Sequence, residues 1–187
     1  MRKLIPLLLM FLVSCGQKEV SDFGKCFDNE LQESYNKLKD SFQLSAKANH
    51  MTKDNQSSYQ TFVKALFDVL DDSLDTTIDQ FVIPANAELS KSDMRILIDA
   101  LQNETGDFLP QGKYMNCIYS NSDTTKRVIS KYIKAKEMGS LNFLIIASGI
   151  YKTADQMDYE DESVKAMILF EIYLDLIRKK TAIANIN

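Results

Sequence analysis

Apolar side chains recur along most of this chain at intervals of three and four. Leu31, Tyr35, Leu38, Phe42 and Ala46 succeed one another at spacings of four, three, four and four. That is the period of a single helix face, and it predicts a helix from about Asn29 to Asn49. The polar stretch Asn55–Ser58 interrupts the pattern, with Ser57 or Ser58 placed to cap a second helix. Tyr59, Phe62, Val63, Leu66, Leu70, Leu74, Ile78 and Phe81 share one side of that second helix, which Pro84 ends. The same periodicity gathers Asp68, Asp71, Asp72, Asp75 and Asp79 on the opposite side. A third helix is expected from about Lys91 to Asn103, opened by Ser90 and Asp93 three apart and closed by Gly106.

Residues 105–121 break the rhythm. They are rich in turn residues yet carry Phe108, Tyr114 and Tyr119, and they read as one long irregular loop. Ser122 caps a fourth helix to about Glu137, with Val128, Ile129, Tyr132 and Ile133 inward and Lys126, Arg127, Lys131 and Lys134 on another side. Leu141–Ala154 and the last helix, about Glu160–Lys180, are apolar nearly all round. Such helices belong in the middle of a bundle. In the last one only Glu171, Asp175 and Arg178 form a narrow polar line. The expectation is an all-α fold: a single bundle of about six helices over residues 28–187, with an irregular loop near residues 105–121.

The first residues have a different organisation. Arg2 and Lys3 precede an apolar run from Leu4 to Val13, broken only by Pro6, and Leu12-Val13-Ser14-Cys15 completes it. This segment resembles the signal and lipobox of bacterial lipoprotein precursors. The apolar run is about half of the ~20 residues a spanning helix needs, which fits a cleaved signal better than a membrane span. The resemblance implies removal of residues 1–14 and a diacylglyceryl thioether on Cys15, usually with an acylated (for example palmitoylated) amino terminus. Two or more acyl chains hold a protein stably at a membrane, where one does so only marginally. Residues 15–27 are then a short lipidated stalk, and the expected location is the cell membrane or outer membrane, facing the periplasm or the exterior.

Charge narrows the partners. The formal net charge of −4 becomes −6 once Arg2 and Lys3 leave, so the chain has no basic surplus for nucleic acid. Outside Cys15 there are two cysteines, Cys26 and Cys117. An even pair in an exported protein points to a disulfide, the alternative being two free or buried thiols.

Candidate chemistry is sparse. His50 is the sole histidine, near the end of the first helix where a cation suits the dipole. With no second histidine and no Cys/His cluster, no metal or cofactor is expected. Glu171 and Asp175 could act as paired carboxylates, but Lys179 four residues after Asp175 and Arg178 seven after Glu171 point to a salt-bridged surface line. The motifs of serine hydrolases, zinc proteases, dinucleotide binders and P-loop proteins are missing. The reading is therefore a non-enzymatic, lipid-anchored interaction module with a protein partner in the cell envelope. Its candidate contact surfaces are the aspartates of the second helix, whose alternative reading is a solvated face, and Phe108, Tyr114 and Tyr119 of the loop. The alternative is a binder of an apolar small molecule or lipid between the C-terminal helices.

Overall fold

Helix α1 (Asn29–Ala48) is the long element against which the rest is assembled. Asp28 caps its start by accepting a hydrogen bond from the Leu31 N–H at 3.0 Å. Its end is a Schellman turn: the Met51 N–H bonds the Ala46 carbonyl at 2.8 Å and the His50 N–H bonds Lys47 at 3.1 Å. His50 supplies the left-handed residue that this turn requires, with φ 56°, and Met51 tucks against the core. The computed structural model describes residues 26–51, 57–68, 81–101, 112–121, Lys131, Lys134 and 149–184.

The other described helices are α2 (Ser58–Asp68), α3 (Lys91–Leu101), α4 (Lys113–Asn121), α5 (Glu162–Ile168) and α6 (Leu174–Ala184). Short 3₁₀ turns lie at Ala85–Ala87 and Ala154–Gln156. The fold is all-α, and strands are absent among the described residues. The expected faces are the buried ones: Leu31, Tyr35, Leu38, Phe42 and Ala46 on α1, and Tyr59, Phe62, Val63 and Leu66 on α2. Leu70, Leu74 and Ile78 lie outside the described residues, as do most of the expected fourth helix and residues 141–148. Ser57 stands just before α2, and its carbonyl accepts from the Thr61 N–H at 3.1 Å.

Helices α5 and α6 are joined by a π-helical segment, Leu169–Tyr173, in which the Leu174 N–H reaches back five residues to the Leu169 carbonyl. All five side chains of this segment are buried. Five successive residues sweep the whole circumference of a helix, so this stretch is enclosed on every side, as expected for the last helix. Phe170 and Tyr173 each organise a cluster of rings. Phe170 stacks on Tyr35 at 5.6 Å, lies 4.4 Å from Tyr114 and meets Phe27 edge-on at 6.1 Å. Tyr173 meets Phe42, Phe62 and Phe81 edge-on at 5.2, 6.0 and 6.3 Å. These offset and edge-on contacts are the favoured ones between rings.

Three expectations change. Residues 113–121 are not loop: they form α4, with Tyr114, Met115, Cys117 and Ile118 buried on one face. Tyr114 is fully buried, so it is a core residue and offers no contact surface. The polar line on the last helix holds only in part: Asp175 pairs with Lys179 at 2.8 Å, as its spacing predicts, and with Arg178 at 2.5 Å, whereas Glu171 is buried within the π segment. Phe27, which the sequence places in the stalk, is buried against Tyr35 and Phe170, so the packed body includes it.

Candidate functional site

Two polar constructions stand out from the apolar core, and both meet α1. The first is a clasp at its start. Cys26 and Cys117 lie 91 residues apart in sequence with their Cα atoms 5.6 Å apart, at disulfide-bonding distance. Cys26 is exposed, whereas Cys117 is only 1% exposed on the inner face of α4. Two residues beyond Cys26, Asp28 accepts a hydrogen bond from Lys113 Nζ at 2.5 Å. That bond, with the Leu31 N–H, holds the Asp28 carboxyl below its ordinary range and raises the Lys113 ammonium above its own. Both side chains are largely exposed, so the pair positions the strap more than it stabilises it. Phe27 fills the gap between, in the ring cluster around Phe170.

The second construction centres on Asp93, at the third position of α3. Its carboxylate accepts from Ser34 Oγ at 3.0 Å, Lys37 Nζ at 3.0 Å and Ser90 Oγ at 2.5 Å. Ser90 in turn accepts from the Asp93 N–H at 3.1 Å, which is the expected start signal of this helix. Burial works against ionisation here. The hydrogen bonds from Ser90, Lys37 and Ser34 outweigh it and hold the carboxyl below its usual range. One carboxylate thereby ties α3 to α1.

A hydroxyl relay continues along α1. Ser41 Oγ donates to the Ala87 carbonyl at 2.5 Å, and Tyr173 Oη lies 2.8 Å from both Ser41 Oγ and Ser45 Oγ. Each hydroxyl has one hydrogen, so the order is fixed: Ser45 donates to Tyr173, Tyr173 to Ser41, and Ser41 to Ala87. A one-directional chain of this kind polarises its members. Burial raises the Tyr173 phenol above its ordinary range despite these partners.

Between the Asp93 centre and the 3₁₀ turn lies a recess of ≈ 170 Å³, lined in part by Lys37, Asp40, Leu44, Asn86 and Glu88. Pockets for organic ligands are commonly about 300 Å³ or more. The recess suits a small polar group at most, and its lysine is already engaged by Asp93 and by Glu33 at 3.1 Å. Among the described residues, no three His, Cys, Asp or Glu side chains converge to hold a metal, and no helix is long and apolar enough to cross a membrane.

Of the residues singled out in the sequence, Cys26 and Cys117 are brought together, and His50 serves the Schellman turn. Cys15, Asp71, Asp72, Asp75, Asp79 and Phe108 lie outside the described residues. Asp68 and Tyr119 belong to α2 and α4 by backbone, and their side chains are not described. Periodicity misses Asp93 and the Tyr173 relay. The signal is present: Ser34, Ser41 and Ser45 each sit three residues after an apolar member of the buried face of α1, at Leu31, Leu38 and Phe42. Compared with known proteins, the chain matches no family model, no curated protein and no solved structure.

Proposed function

We propose that this protein is a lipid-anchored module of the bacterial cell envelope, held at the membrane through Cys15 and acting non-enzymatically by binding another envelope protein. The observation that carries the location is the ordered series of charged start, apolar run and Leu12-Val13-Ser14-Cys15. The Cys26–Cys117 pair supports it, since paired thiols suit an oxidising compartment. The alternative, an apolar small molecule or lipid held between the C-terminal helices, falls largely on residues 141–148, which lie outside the described residues.

Replacing Cys15 with Ala tests the anchor. The variant should lose labelling by a fatty-acid probe and leave the membrane fraction; full retention in membranes counts against the lipid as anchor. The partner is sought by crosslinking and affinity capture of the lipidated protein from its own membrane. The aspartates of the second helix are the first surface to test. A D71N/D75N/D79N triple variant should lose captured partner, and wild-type capture should weaken as salt screens charges beyond ~8 to 10 Å. Equal capture by both proteins, indifferent to salt, removes that helix from consideration.

A further inference from the structure

We propose that Cys26 is the point of attack through which the Cys26–Cys117 bond is made and unmade, by thiol–disulfide exchange with an envelope protein that carries a reactive disulfide. The location of that partner rests on the function proposed above; the order of attack rests on geometry alone.

The two sulfurs differ in access. Cys26 is exposed at the edge of the body, while Cys117 is 1% exposed beside buried Tyr114, Met115 and Ile118. Exchange needs a thiolate to reach a sulfur, so access sets which cysteine reacts first. The strap is also held without the sulfurs. Phe27 is seated against Tyr35 and Phe170, Asp28 pairs with Lys113, and Asp28 caps α1. These contacts keep Cys26 beside Cys117 in the dithiol form, Cα atoms 5.6 Å apart, within the range that a disulfide spans.

The chemistry balances. The Cys26 thiolate attacks the partner's disulfide. A mixed disulfide forms, and one partner sulfur leaves as a thiolate and takes up the proton that Cys26 lost. The Cys117 thiolate then attacks Cys26 Sγ. The Cys26–Cys117 bond forms, the mixed disulfide breaks, and the second partner sulfur leaves and is protonated. Two electrons pass to the partner, whose disulfide becomes a dithiol. The reverse sequence, driven by a dithiol partner, also begins at Cys26.

The test uses the full chain in detergent, reduced and freed of reductant, with oxidised glutathione as the probe and peptide mass mapping to keep Cys15 separate. Folded C117S should gain glutathione at Cys26 on the order of tenfold or more faster than folded C26S gains it at Cys117, and the gap should close in denaturant. Equal rates in the folded proteins, or a faster reaction at Cys117, overturn the proposal. Should either variant fail to fold, brief sub-saturating alkylation of the reduced wild type reads the same order. Cys26 modified first supports the proposal, and Cys117 modified first or in step overturns it. In cells, C117S should accumulate a mixed disulfide between Cys26 and an envelope protein. A clear asymmetry towards glutathione with no such adduct in cells overturns the envelope partner and leaves the order of attack standing.

Discussion

The hydroxyl of Tyr173 lies 2.8 Å from that of Ser41, across 132 residues of sequence and inside the core. This contact, with the one from Ser45, joins the π segment to α1 within largely apolar packing. Replacing Tyr173 with Phe leaves Ser45 without an acceptor and Ser41 without its incoming donor. A buried polar group stripped of its partner costs about 1 to 3 kcal/mol, and Y173F should lose stability in that range by urea denaturation. Adding S45A to Y173F should recover part of the loss. No recovery in the double variant would show that the loss does not come from stranding the Ser45 hydroxyl.

Asp93 predicts a pH dependence of definite sign. Its folded carboxyl is held below the ordinary value, so its contribution is fully present above the unfolded value of about 3.9 and is lost as pH falls through the lower folded value. The wild type should lose stability as pH drops below about 4, and D93N should be less stable at neutral pH with a flatter acid limb. Denaturation midpoints at a series of pH values decide it; parallel curves for the two proteins would remove Asp93 as a source of acid lability.

His50 carries φ 56°, a conformation that costs a residue with a Cβ about 1 to 2 kcal/mol and glycine very little. H50G should therefore raise stability by about 1 kcal/mol. A loss of stability would mean that the imidazole makes a contact more valuable than the relief of strain.

Ser163 Oγ is fully buried and has no hydrogen-bond partner among the described residues. An unmet hydroxyl is a liability of about 1 kcal/mol or more, and Ala is also the better helix former. S163A should be neutral or more stable by thermal melting, and a clear fall in Tm would reveal a partner for the hydroxyl.

Removing the cross-link has a larger expected effect. A loop of 91 residues closed in the unfolded chain corresponds to about 4 to 5 kcal/mol in the chain-entropy model. The C26S/C117S double variant should lose stability on that scale if the bond is present in the purified protein. Indifference of the wild-type melt to reductant would show that it is not.

How far the sequence carries depends on segment length. Helix α1 repeats its apolar interval often enough to be read directly, and its buried residues are those the spacing selects. Helix α4 is hidden because it has nine residues; Asn116, Ser120 and Asn121 resemble turn chemistry more than they disturb so short a helix. Tyr114 reads as a loop aromatic for the same reason. Glu171 fails differently. A constant helical angle places it on an outer line, whereas the π segment adds a residue to one turn and is enclosed all round. The cysteine pairing is available from counting, and the clasp around it is not. Nothing local links Asp28 to Lys113, 85 residues on, and only the packed bundle brings them together.

The clasp also governs how the domain bears load. A pull on the chain ahead of Cys26 divides at that residue. With Cys26 and Cys117 bonded, one share runs through the peptide bond to Phe27 and the start of α1, and the other crosses the sulfurs to the middle of α4. Helix α1 is thus not unzipped from its end one turn at a time. The tug is spread across two elements that share the Phe170 rings.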